Sequence, residues 1–174
     1  MKIVDIFAEK LFAFHYDNED ENELKRLLNL WNNSNYISTF LDENKSDIPP
    51  YENINKLEQK IFDDANEIDD ILYELSNDDD MQLEEFFAPL DNKEYYEVKL
   101  SKQKGRKRYL RLYALKIDEN CYVITGGAIK FTHLMEERDH TIEELRKIDM
   151  CREYLKSNDV FDAESFYEFL IEEL

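Results

Sequence analysis

The chain has 174 residues, 41 acidic against 22 basic side chains and a formal net charge of -19. Its length suits one domain around one core, and with 43% hydrophobic and 13% aromatic residues the composition excludes a chain that is disordered throughout. Charges interrupt every apolar stretch, so no membrane span, signal peptide or membrane partner is expected, and the protein reads as cytoplasmic.

Residues 3–16 read as extended structure containing at least one core strand, with Ile3, Val4, Ile6 and Phe7 followed by Leu11, Phe12, Phe14 and Tyr16. From Asp20 the period becomes helical. Leu24, Leu27, Leu28 and Trp31 mark one short helix, and Ile37, Phe40 and Leu41 mark a second, for which Ser34 is the expected N-cap. Pro49 and Pro50 stop helical structure. A longer helix follows, with Ile54, Leu57, Ile61, Ala65, Ile68, Leu72 and Leu75 on one stripe and acids opposite. Asp78 to Asp80 close it and are placed to cap the segment Met81 to Phe87.

After Asn92 the pattern changes to strands over Tyr95–Leu100, Tyr109–Ile117 and Cys121 to about Phe131. Lys102 to Arg108 read as a hairpin loop, and Asp118 to Asn120 as the short connection of a second hairpin. Gly126 and Gly127 predict a bulge or bend inside the last strand. Thr141 with Glu144 has the spacing of a capping box, opening a helix with Ile142, Leu145, Ile148, Cys151 and Leu155 inward; Asp162 is the expected cap of the last helix.

The expected fold is therefore α+β, a single domain over residues 1–174. A small antiparallel sheet, made of an N-terminal strand plus a three-stranded meander, is packed by helices. Residues 45–90 form an acidic helical insertion, and residues 93–156 hold the meander and its packing helix.

Charge is unevenly spread. Between Val98 and Met135 stand nine bases against two acids, a local +7 that leaves -26 for the remainder. Overall charge of this sign repels polyanions at long range, yet the basic segment leaves a local anion site open. One reading makes Lys102 to Arg108 a solvated loop paired with acidic helices. The other makes the sheet face a phosphate or RNA surface, with Arg108 and Arg111 as forked donors and Lys104 and Lys107 as point charges. Strict alternation would put Tyr109, Arg111 and Tyr113 on one face, an arginine between two rings on which a base could stack.

A second constellation runs from Gly126 through Lys130 to His133, then Arg138 and His140. Cleavage of RNA through its 2′-hydroxyl needs a base, an acid and cations around the developing charge on phosphorus, and these side chains supply those types. The paired glycines lack the pattern of a phosphate loop, and the acid clusters lack the spacing of an EF-hand loop, so no metal and no cofactor is expected. Cys121 and Cys151 have no ligand-spaced neighbours and read as reduced thiols.

The stretch from Arg111 to His133, continuing into a helix so that about residues 108–155 are covered, resembles the core of RelE/HigB-type toxins. There, a strand carrying Arg-x-x-Tyr turns into an apolar strand that leaves through a Gly and a Lys-rich, Thr-containing exit. The resemblance implies a sheet of this kind and ribosome-dependent mRNA cleavage, with Arg111 on the family's strand arginine and Lys130 on its first lysine after the Gly. Phe131 stands where a second Lys is usual, and the chain is acidic where the family is usually basic. Expected partners on this reading are RNA or the ribosome and a cognate antitoxin. The alternative is a non-enzymatic acidic protein that binds a basic protein partner on the same scaffold.

Overall fold

Two left-handed residues, Ala8 (φ 57°) and Glu9 (φ 54°), reverse the chain after its first six-residue strand, the pattern of a primed hairpin turn. Asp5 accepts the Glu9 amide at 3.1 Å across this turn. The computed structural model describes residues 1–95, 99–132 and 138–174. Its strands are β1 (Lys2–Phe7), β2 (Leu11–His15), β3 (Phe87–Pro89), β4 (Ser101–Lys107), β5 (Leu110–Asp118) and β6 (Cys121–Ile129). Its helices are α1 (Glu23–Trp31), α2 (Ser34–Glu43), α3 (Ile54–Asn77), α4 (Asp139–Ser157) and α5 (Ala163–Glu172).

The α+β class is as expected, but the sheet is larger and mixed. Its order is β1-β2-β6-β5-β4-β3, and β2 runs parallel to β6, with Leu11 opposite Tyr122 and Ala13 opposite Ile124. All other neighbours are antiparallel. A parallel pair needs a crossover, and everything from α1 to β5 supplies it.

Helices cover both faces. On the first, Leu11, Ala13, Leu112, Tyr122 and Ile124 pack with Leu27, Trp31, Ile37, Leu57, Ile61 and Ile68 of α1, α2 and α3. On the second, Phe12, Phe14, Tyr113, Leu115 and Val123 pack with Ile148, Cys151, Leu155 and Phe166 of α4 and α5. Burial of each such side chain contributes about 1.5–3 kcal/mol. The predicted stripe of α3 is buried from Leu57 to Leu75, so the acidic segment forms a layer of the core.

Several local expectations are corrected. The segment read as a loop, Lys102 to Arg108, is mostly strand β4, and the hairpin turn is Arg108-Tyr109, with Arg108 at φ 53°. Polar residues hide the strand in the sequence; its pairing with β3 and β5 creates it. The strand expected over Tyr95–Leu100 is replaced at its start by a 3-10 turn, Asn92–Tyr95, and its central residues 96–98 lie outside the described residues. Asn33 rather than Ser34 caps α2, its side chain accepting from the Tyr36 amide. Asp162 caps α5 as expected.

Residues Thr141 and Glu144 do not form a capping box: α4 begins earlier, at Asp139, and the Thr141 hydroxyl donates to the Arg138 carbonyl at 2.8 Å. The bulge predicted at the glycines is present. Tyr113 is opposite Gly126 and Ala114 opposite Ile124, which leaves Thr125 as the extra residue. Both glycines keep negative φ, so space is what requires them. A Cβ on Gly126 would run into the Glu144 carboxylate, and one on Gly127 would stand 2.6 Å from the Arg111 carbonyl oxygen.

Candidate functional site

Among the described residues, four of the nine cations of the basic segment are matched by acids from the helices and turns around them. Lys102 reaches Asp149 of α4 at 2.9 Å, Lys107 reaches Glu67 at 2.7 Å and Arg108 reaches the buried Asp64 at 3.2 Å, both on α3. Lys116 lies 3.6 Å from Glu84. Lys104, Arg106 and Arg111 differ: among the described residues no carboxylate stands within 4.0 Å of any of them.

Strand register puts these three on one face. Lys104 is directly opposite Tyr113 and Arg106 directly opposite Arg111, and directly opposed side chains share a face. The guanidinium of Arg111 donates to the carbonyls of Arg108 at 2.7 Å and Leu110 at 3.0 Å, which aims it along the end of the hairpin. Burial, and then the charge of Arg106, pulls its pKa down. Tyr113 is buried beside them, its hydroxyl has no hydrogen-bond partner among the described residues, and burial raises its pKa.

The other candidates lie elsewhere. Tyr109 belongs to the turn and packs on the opposite face, its ring 4.9 Å from Phe131 and its hydroxyl donating to Glu52 at 2.8 Å. Tyr109 and Tyr113 therefore do not flank Arg111, because the left-handed Arg108 ends the alternation on which that expectation relied. Arg138 is paired with Asp47, and its guanidinium holds that carboxyl below the usual range. Lys130 follows β6, its amide donating to the Tyr109 carbonyl at 2.7 Å. His140 donates from Nε2 to the Ile129 carbonyl at 3.0 Å and sits edge-on to Phe40. His133 lies outside the described residues.

A second feature was not legible as a site. β2 keeps register with β6 only through Ile124, so among the described residues no strand pairs with the outer edge of residues 125–129, which lies between α1, α2 and the start of α4. Beside that edge is a cavity of about 460 Å³ whose lining includes Arg26, Tyr36, Glu43, Gly127, His140 and Glu144. Behind it, Glu23 is fully buried and accepts from Arg26 at 2.6 and 2.8 Å and from Lys147 at 2.6 Å. The Lys147 ammonium stands 3.4 Å from both carboxylate oxygens of Glu144 and donates to Oε1, while Oε2 accepts no hydrogen bond among the described residues. Burial pushes its pKa up to about 7 against the opposing pull of Lys147.

Arg106 was missed because its strand was read as loop. Glu144 was missed because the spacing Thr-x-x-Glu reads as a cap; only the tertiary structure turns it over Gly126. Among the described residues no group of three or more His, Cys, Asp or Glu is placed to hold a metal ion, and no helix is long and apolar enough to cross a membrane. No protein-family model, curated protein or solved structure matches the chain.

Proposed function

We propose that the protein acts on RNA in the manner of RelE/HigB-type toxins, with Lys104, Arg106 and Arg111 as its phosphate-binding face. One observation carries this reading: these three cations share a sheet face and, among the described residues, have no carboxylate within 4.0 Å, while Lys102, Lys107, Arg108 and Lys116 around them have partners. Two guanidiniums placed directly opposite each other repel, and an anion between them removes that cost. Attack of a 2′-oxygen on the adjacent phosphorus would build negative charge against this face, where fixed donors lower the barrier. Lys130 and His133 are the proposed proton carriers; His140, bonded to the Ile129 carbonyl and edge-on to Phe40 of the first core, takes no part in the step.

Fluorescence anisotropy with a single-stranded RNA tests the face. Replacing Lys104, Arg106 and Arg111 together by Ala should abolish binding seen for the wild type at low salt; equal binding by both proteins rejects the site. On expression in cells, growth inhibition should be lost in the variant carrying Arg111→Ala and Lys130→Ala, and equal toxicity counts against the activity.

A second reading, binding of a basic protein partner, is favoured by the carboxylate-lined cavity at the β6 edge. A pull-down that captures one basic protein without RNA would support it.

A further inference from the structure

We infer that the cavity beside Gly127 binds one extended residue of a partner polypeptide, main chain against the β6 edge and a lysine or arginine side chain toward Glu43, Asp139 and Glu144. This gives the second reading a site and rests on it. It does not depend on RNA, since none of Lys104, Arg106 and Arg111 lines the cavity.

The main-chain part follows from the ladder. In an antiparallel pair, residues alternate between those that bond their partner and those whose N–H and C=O point away from it. The Lys130 amide bonds the Tyr109 carbonyl, so that pair is of the first kind. Counting back along the register, Ile129 opposite Leu110 and Gly127 opposite Leu112 are of the second kind. Ile129 conforms: its outward carbonyl accepts from His140. Past the bulge the Tyr122 amide also conforms, pointing outward to the Lys10 carbonyl.

Gly127 thus presents one donor and one acceptor to the cavity, and among the described residues no side chain or strand takes either. An extended residue offers the complementary carbonyl and amide, which is how a strand edge recognises a peptide. The segment available for pairing is short, because Tyr16 donates to the Thr125 carbonyl on one side and His140 occupies Ile129 on the other.

The side-chain preference follows from charge. Arg26 lines the cavity, but its guanidinium is held by Glu23 through two hydrogen bonds. Glu43 and Asp139 are exposed on the rim, and Glu144 is nine-tenths buried with an oxygen that accepts no hydrogen bond among the described residues, the nearby Lys147 ammonium being held more closely by Glu23 at 2.6 Å than by Glu144 at 3.4 Å. The exposed ring of Tyr36 stands beside them, a face on which the stem of a lysine or arginine can lie.

The experiment is an NMR titration of the full, nitrogen-15-labelled chain with N-acetyl-arginine N-methylamide and with its leucine and glutamate counterparts. The inference expects shifts centred on the Gly127 and Ala128 amides, with the arginine probe bound about tenfold more tightly than the leucine probe, the size of one charge-assisted contact. The double variant Glu43→Gln, Asp139→Asn changes only exposed side chains and should bring the two probes within about twofold, leucine binding being unchanged. Absence of a Gly127 shift with any probe, equal affinity for all three, or a shift produced by adenosine monophosphate alone overturns the inference. If a basic protein is captured equally well by wild type and double variant, this site is rejected while the partner reading stands.

Discussion

Burial sets the chemistry of Glu144. Its carboxyl lies over Gly126 with Lys147, Glu23 and Arg26 as the charged groups around it, and its pKa is pushed up to about 7. A carboxyl whose folded pKa exceeds its unfolded one near 4.3 binds protons more tightly in the folded state. Its contribution to stability is therefore complete below about pH 4 and is lost as pH rises towards 7. Urea denaturation across this range should show wild-type stability falling relative to Glu144→Gln by about 1–3 kcal/mol, and parallel curves would refute the assignment. Gly126→Ala should cost about 1–3 kcal/mol, since the new methyl must displace that carboxylate; its midpoint in the same titration reads the loss. Neither effect is visible in the sequence, where Glu144 stands at the spacing of a helix cap and Gly126 at that of a flexible bend.

The helix α3 serves two purposes at the scale of elements. Its inner stripe builds the first core, and two of its acids, the buried Asp64 and the exposed Glu67, hold the β4–β5 hairpin, with Glu52 just before it taking the Tyr109 hydroxyl. Ile68→Ala should lower stability by about 2–5 kcal/mol, measured by thermal or urea unfolding, because the side chain is fully buried. Arg108→Ala should cost about 1–3 kcal/mol, less through the lost pair than through the buried Asp64 left without its cation. The α3 stripe and the cap at Asp162 are local features, readable from spacing and residue type. Strand β4 is not local: Lys102, Gln103, Lys104 and Arg106 favour no strand by themselves and are held by neighbours on both sides.

For the whole molecule, an acidic surface carries a small cationic face whose surrounding cations are largely neutralised. If that face holds phosphates, RNA affinity should fall steeply with salt. The slope of log affinity against log salt should shrink by about 0.7 for each contact removed from Lys104, Arg106 and Arg111, as anisotropy at several salt concentrations would read. An unchanged slope would place the RNA elsewhere. The sequence alone determined the helices, their inward stripes, a bulge beside Gly126-Gly127 and the clustering of positive charge, because periodicity and steric demand are properties of neighbours along the chain. The tertiary structure alone decided the parallel pairing of β2 with β6, the sorting of cations into paired and unpaired, and the open edge at Gly127. Those depend on which distant segments bury each other, and a sheet's register is set by that burial rather than by the residues of any one strand.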